Sequence, residues 1–119
     1  MGSAALRDAK TGLEALDPDK ILAAYHDSFL FEDPPSSKSI ADRAALRSYF
    51  EALFALPDVA FTDITVHEGE TFAVIEWTWS GNGPSTRVPY EVRGASVLEL
   101  EDGKITRETL YYDPRPVLS

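Results

Sequence analysis

Four strand-like segments fill the second half of the chain, and the third is too long to lie flat. They run Val59 to His67, Thr71 to Ser80, Thr86 to Leu100 and Ile105 to Tyr112, all rich in β-branched and aromatic residues. Glu68-Gly69-Glu70, Gly81-Asn82-Gly83-Pro84 and Glu101-Asp102-Gly103-Lys104 separate them as short turns, so antiparallel neighbours are expected. A straight third strand of 15 residues spans roughly 50 Å at about 3.3 Å per residue, more than a domain of this length houses. It has to bend, and Pro89 and Gly94 are the residues that permit it. A curled meander encloses space on its concave side.

The first half of the chain supplies the cover. Ser3 to Leu16 place Ala5, Leu6, Ala9, Leu13 and Leu16 on one helical stripe, with Gly12 as a weak point. A second helix opens where Asp17 caps free amides, Pro18 suits the first helical position and Asp19 favours the positive helix end. Its stripe is Ile21, Leu22, Tyr25 and Phe29. Phe29 to Glu32 then reads as a short strand, stopped at Asp33-Pro34-Pro35 because two prolines remove two amide donors. A third helix runs from about Arg43 to Ala55, capped by Asp42, with Leu46, Tyr49, Phe50, Leu53 and Phe54 at helical spacing. The order predicts one α+β domain over residues 1–119, with N-terminal helices packed on a curved, antiparallel or mixed sheet around a cone-shaped cavity.

Composition narrows the chemistry. The absence of cysteine excludes disulfides, thiolate nucleophiles, zinc knuckles and iron–sulfur clusters. Twenty acidic against eleven basic residues give a charge of −9, which disfavours nucleic acid and anionic lipid as partners. Apolar runs are short and Met1-Gly2-Ser3 lacks the basic start of a secretory signal, so no membrane association and a cytoplasmic location are expected. His26 and His67 form no local ligand pair, and no nucleotide-binding glycine loop occurs, so neither metal nor cofactor is expected.

Asp17-Pro18-Asp19-Lys20-Ile21-Leu22, then Tyr25 and Phe31-Glu32-Asp33-Pro34, then Ile40-Ala41-Asp42-Arg43-Ala44-Ala45-Leu46-Arg47 form an ordered series of motifs. Glu101-Asp102-Gly103-Lys104-Ile105 and Tyr111-Tyr112-Asp113 complete it. In order and spacing the series resembles the nuclear transport factor 2-like superfamily, particularly its SnoaL-like and ketosteroid isomerase branches, with Asp42 where glycine is usual. The resemblance implies a cone-shaped α+β barrel, a pocket between helices and sheet, and a homodimer formed through the outer sheet face.

The same resemblance makes Asp33 a proton-shuttling base, since the isomerase branch uses the aspartate of the matching strand end. A carboxylate at the mouth of an apolar cavity loses hydration and gains basicity. Turn chemistry is the plainer reading, with Asp33 accepting backbone hydrogen bonds before Pro34. Positions matching the isomerase donors hold Ala9 and Ala95 or Ser96, so Ser96, Tyr25, Tyr49 or Tyr90 would have to supply the oxyanion donor. Asp113 matches the acid/base aspartate of SnoaL-like cyclases, and otherwise caps the chain end in water. Arg93 with Glu91 is a fragment of the epoxide-hydrolase set, but Ala95 stands where an aspartate is expected, and an exposed ion pair is the simpler reading.

Trp77 and Trp79 share one strand face. With Tyr25, Phe50, Phe54, Tyr90 and Ser96 they are the candidate lining of an apolar pocket, or plain core. The resulting expectation is a SnoaL-like protein performing cofactor-free acid/base catalysis, of isomerase or cyclase type, on a small hydrophobic carbonyl compound through Asp33 and Asp113. The alternative is a non-catalytic module for small-ligand binding or dimeric assembly. An open pocket faced by Asp33 separates the two.

Overall fold

The computed structural model describes residues 4–118, so Ser3, the expected start of the first helix, lies outside the described residues. The elements in chain order are α1 (Ala4–Ala15), α2 (Pro18–Leu22), β1 (Tyr25–Asp33), β2 (Lys38–Ile40), α3 (Arg43–Phe54), β3 (Ala60–Glu68), β4 (Phe72–Asn82), β5 (Pro89–Glu101), β6 (Lys104–Tyr111) and α4 (Arg115–Leu118). A 3-10 turn at Pro34–Ser36 joins β1 to β2. The strands form one sheet of order β2-β1-β6-β5-β4-β3. Strands β3 to β6 are the antiparallel meander that the turns predict, and β1 joins it parallel to β6, so the sheet is mixed. The order is linear, and the curved sheet is therefore open. Among the described residues no helix is long and apolar enough to cross a membrane.

Local chemistry sets the helix starts. Asp17 accepts from the amides of Asp19 and Lys20 at 3.1 and 3.3 Å, and Asp42 accepts from the amide of Ala45 at 2.9 Å, satisfying donors that have no partner inside the helix. Gly12 acts differently from expectation. A Cβ there would stand 2.5 Å from Ile21 Cγ1 and 2.9 Å from the Ile21 backbone nitrogen, so the missing side chain is what lets α2 fold back on α1.

The second helix is shorter than its stripe suggests. It ends at Leu22, and Tyr25 and Phe29 belong to β1. A separation of four residues suits one face of a helix and one face of a strand equally, so periodicity cannot divide the two. Pairing decides it: the Ile105 amide reaches the Ala24 carbonyl at 2.9 Å, and Tyr25 lies opposite Ile105. The Arg43 guanidinium, on α3, then donates to the carbonyls of Leu22 (2.7 Å) and Tyr25 (3.1 Å), which the early end of α2 leaves open. Short β2 and α4 were not anticipated from the sequence.

Apolar residues from all three N-terminal helices, Leu6, Ile21, Leu46 and Phe50 among them, cover one sheet face and bury Phe31, Ile75 and Leu98 beneath them. On that face Gly94 lies opposite Trp77, and the β4–β5 register passes through it without a break. Its part is space rather than a kink in the pairing. A Cβ at Gly94 would stand 2.4 Å from Trp77 Cη2 and 2.6 Å from Cζ3, in a rigid ring that cannot step aside cheaply. We expect Gly94→Ala to lower the unfolding free energy by about 1–3 kcal/mol, the usual cost of overpacking a core, measurable by urea denaturation. Unchanged stability would show that the indole has room to move.

Candidate active site and inner cavity

Asp33 closes β1. Strand alternation from Phe29 and Phe31 turns it inward, and the side chain is only 2% exposed. A charged group at such depth needs partners. Its side chain makes no capping bond to the following turn, which is where a turn-forming aspartate would spend its oxygens. Instead, Oδ2 accepts from the Tyr49 hydroxyl on α3 at 2.8 Å, and Oδ1 accepts from the Tyr112 hydroxyl just beyond β6 at 2.9 Å. Burial, and then the neighbouring Asp33 carboxylate, push both phenols far above their ordinary range. Both therefore stay protonated donors across the physiological pH range.

These phenols stand between two spaces. A cleft of about 490 Å3 opens outward between α3 and β2, lined by Asp33 together with Ile40, Ala52 and Leu56, with Lys38 also in its wall. Beneath the helices lies a cavity of about 50 Å3. Tyr49, Leu53, Trp79 and Tyr112 line both, whereas Asp33 lines the cleft alone. The cleft is of the size of ordinary ligand sites, whereas the cavity has room for a group of only a few heavy atoms.

The inner cavity has a carboxyl group of its own. Glu108, on β6, accepts a hydrogen bond from the Tyr25 hydroxyl. Ser96 also bonds to Glu108, and the Ser96 oxygen in turn accepts from Trp77 Nε1 at 3.1 Å. Burial pushes the Glu108 carboxyl above the usual carboxylate range, against the opposing pull of the Tyr25 and Ser96 hydrogen bonds. Sequence reasoning missed this residue for a definite reason. Alternation from the buried Ile105 would put Arg107 and Thr109 inward, yet Glu99 pairs with Arg107 while Leu100 pairs with Ile105, so β6 carries one extra residue. Past that bulge the even-numbered residues Glu108 and Leu110 face in, followed by Tyr112.

Of the residues expected from the sequence, Tyr25, Phe50, Trp77, Trp79 and Ser96 line the inner cavity. Phe54 and Tyr90 do not. Phe54 packs between Phe50 and Phe61, with ring centroids at 5.7 and 6.0 Å. Tyr90 stands edge-on to Trp79 at 5.5 Å, at the far end of the sheet beside Gly81. Asp113 is not brought to either space. It is exposed, bound by the Arg115 guanidinium and amide, and those bonds hold its carboxyl down to about 2.

Arg93 does not pair with Glu91 as expected. Its register partner is Thr78, so it projects from the uncovered sheet face, bonds Thr78 Oγ1 and the Asp63 carbonyl, and sits 3.6 Å from Glu76. His26, Glu101 and Asp102 bring possible ligand atoms within 4.8 Å of one another at the surface. There Nδ1 of His26 accepts from the Ser28 amide, so a neutral ring carries its proton on Nε2 and keeps no lone pair for a cation.

A raised carboxyl pKa has a definite sign in stability. Above the ordinary glutamate value of about 4.3 the unfolded chain has released the Glu108 proton while the folded protein retains it. Stability carried by the protonated form is therefore lost as pH rises toward the folded value. We expect the unfolding free energy of Glu108→Gln, relative to wild type, to climb through that window and then level off, in urea titrations from about pH 4 to about pH 8. Parallel profiles for the two proteins would contradict this.

The sequence matches the SnoaL-like domain over residues 6–108. No curated protein matches it. Among solved structures, the chain is similar to a hypothetical protein of ketosteroid isomerase-like fold from Catenulispora acidiphila DSM 44928, in complex with trimethylamine, at TM-score 0.84 and 16% identity, covering 99% of this chain and 92% of that one. A candidate isomerase from Bacillus subtilis gives TM-score 0.76 and 26% identity over 95% and 86% of the two chains. A candidate polyketide cyclase from Pseudomonas putida KT2440 gives 0.80 and 17% over 98% and 95%. The match spans most of the chain, and the ketosteroid isomerase-like fold agrees with it: the protein belongs to the SnoaL-like domain family.

Proposed function

We propose that the outer cleft is the site of cofactor-free proton transfer on a small apolar carbonyl compound, with Asp33 as base and Tyr49 and Tyr112 as donors to the developing oxyanion. The observation that carries this reading is the Asp33 carboxylate, one oxygen bonded to each phenol, set in the wall of a cleft large enough for a substrate. Proton removal breaks a C–H bond α to the carbonyl, forms an O–H bond on Asp33 and moves the electron pair to the carbonyl oxygen. As charge leaves Asp33 for that oxygen, a phenolic O–H is released to follow it. Return of the proton to a different carbon is an isomerisation; attack of the enolate carbon on a second carbonyl, with the Asp33 proton passing to the alkoxide so formed, is a ring closure. The likeness to the candidate isomerase and the candidate cyclase accords with both outcomes.

The test is deuterium incorporation from D2O into the α carbon of small cyclic ketones, followed by NMR. Wild type should exchange faster than buffer, Asp33→Asn should fall to background, and Tyr49→Phe or Tyr112→Phe should lose about 10²–10³-fold, as expected for one oxyanion donor. Full exchange in Asp33→Asn would remove Asp33 as the base.

A specific observation favours a second ligand class for the inner cavity. Eight of its seventeen lining residues are aromatic, and Glu108 is the one carboxyl group in the lining. Aromatic faces beside an acid suit alkylated nitrogen, and the Catenulispora protein was solved in complex with trimethylamine. The second reading is that the inner cavity binds a compact amine.

We also propose a homodimer through the uncovered sheet face. Val97 (41% exposed) and Tyr111 (58% exposed) flank Ala95 there, with Val74 opposite Val97, a contiguous apolar strip. Sedimentation at micromolar concentration should give a dimer that Val97→Lys converts to monomer. A monomeric wild type would contradict the proposal.

A further inference from the structure

We infer that Glu108 is the counter-charge for a compact alkylammonium ion, so that the inner cavity takes its ligand as a cation rather than as a neutral amine or an apolar molecule of the same shape; this rests on the amine reading of that cavity given above. Three observations converge on it. The first is the direction of the hydrogen bonds. Trp77 Nε1 donates to Ser96, which leaves the Ser96 hydroxyl proton for Glu108, and the Tyr25 hydroxyl proton is spent on Glu108 as well. Polar hydrogens are aimed at Glu108 from β1 and β5, and no carbonyl or carboxylate among those partners is placed to accept a proton from it. Those donors favour the ionised form, so a bound cation that offsets the cost of burial would draw the proton off Glu108.

The second observation is charge. Among the described residues that line the cavity there is no lysine, arginine or histidine. An ionised carboxylate in such a wall is stabilised by dipoles alone and lacks a counter-ion, a costly condition that a bound cation would relieve. The titratable groups around Glu108 are the phenols of Tyr25 on β1, Tyr49 on α3 and Tyr112 beyond β6, and Asp33 lies on the far side of Tyr49. None of them can neutralise it.

The third is shape. Phe31, Tyr49, Phe61, Trp77 and Tyr112 present rings to the same small space, with centroid separations of 4.9 Å for Phe31–Tyr49 and 6.0 Å for both Phe61–Trp77 and Trp77–Tyr112. An ammonium ion there is surrounded by aromatic rings, whose electron-rich faces attract a cation. One water needs about 10–15 Å3 of such a cavity, so a volume of about 50 Å3 admits a group of few heavy atoms. A longer substituent would have to leave past Tyr49 and Tyr112 into the outer cleft.

The experiment titrates wild-type protein with methylammonium, dimethylammonium and trimethylammonium chloride, and with tert-butanol as a neutral molecule close in shape to the last. Binding is followed through the Trp77 indole N–H resonance and by calorimetry. At least one ammonium ion should shift that resonance and bind at least tenfold more tightly than tert-butanol. Glu108→Gln should weaken the ammonium ion at least tenfold and leave tert-butanol unaffected, while Asp33→Asn should retain ammonium binding. Equal affinities for ammonium and tert-butanol, or full ammonium affinity in Glu108→Gln, would overturn the role of Glu108 while leaving a cavity that binds small molecules. No binding of any probe would overturn the amine reading itself. Should Glu108→Gln fail to fold, the wild-type comparison of cation with neutral probe decides the matter alone.

Discussion

A sheet strand offers alternate side chains to opposite faces, and the acid of the inner cavity depends on one residue that breaks that rhythm. Between Ile105 and Arg107 the last strand carries an extra residue. Without it Arg107 and Thr109 would turn toward the helices, and Glu108 would face outward. With it Arg107 projects outward to meet Glu32 at 2.9 Å, and Glu108, Leu110 and Tyr112 join the covered face. The bulge thus puts an acid in the inner cavity and delivers one of the two phenols that hold Asp33.

The two inward carboxyl groups occupy different surroundings, and the difference suits different tasks. Asp33 stands at a rigid Pro-Pro corner in the wall of an open cleft, bonded by two hydroxyls that a substrate oxygen could claim in its place. Glu108 is enclosed among rings, and burial opposes its ionisation. Tyr49 belongs to both neighbourhoods: it bonds Asp33 and lines the cavity that holds Glu108. Such a shared wall couples the two spaces, because displacement of the phenol toward one alters the shape of the other.

Much of this was legible in the chain. The caps at Asp17 and Asp42, the Asp33-Pro34 stop and the meander of four strands are local chemistry, and each stands where the residues put it. The inward turn of Asp33 follows from alternation with Phe29 and Phe31, and that of Trp77 and Trp79 from their own spacing. Tyr25 and Phe29 were ambiguous because a spacing of four serves both periods, and only pairing with β6 settles the matter. Asp113 matched a motif, but a motif cannot show that Arg115, two residues on, has already claimed the carboxylate at the surface.

What the sequence determined by itself was therefore the set of elements, their order, the helix starts and the wealth of aromatic residues on one side of the sheet, since these arise from interactions among residues a few positions apart. The tertiary structure alone decided which polar groups meet: Tyr49 and Tyr112 at Asp33, and Tyr25, Ser96 and Trp77 around Glu108. The physical reason is that these contacts join residues 12 to 83 positions apart. Their facing depends on register, and one inserted residue reverses every side chain beyond it.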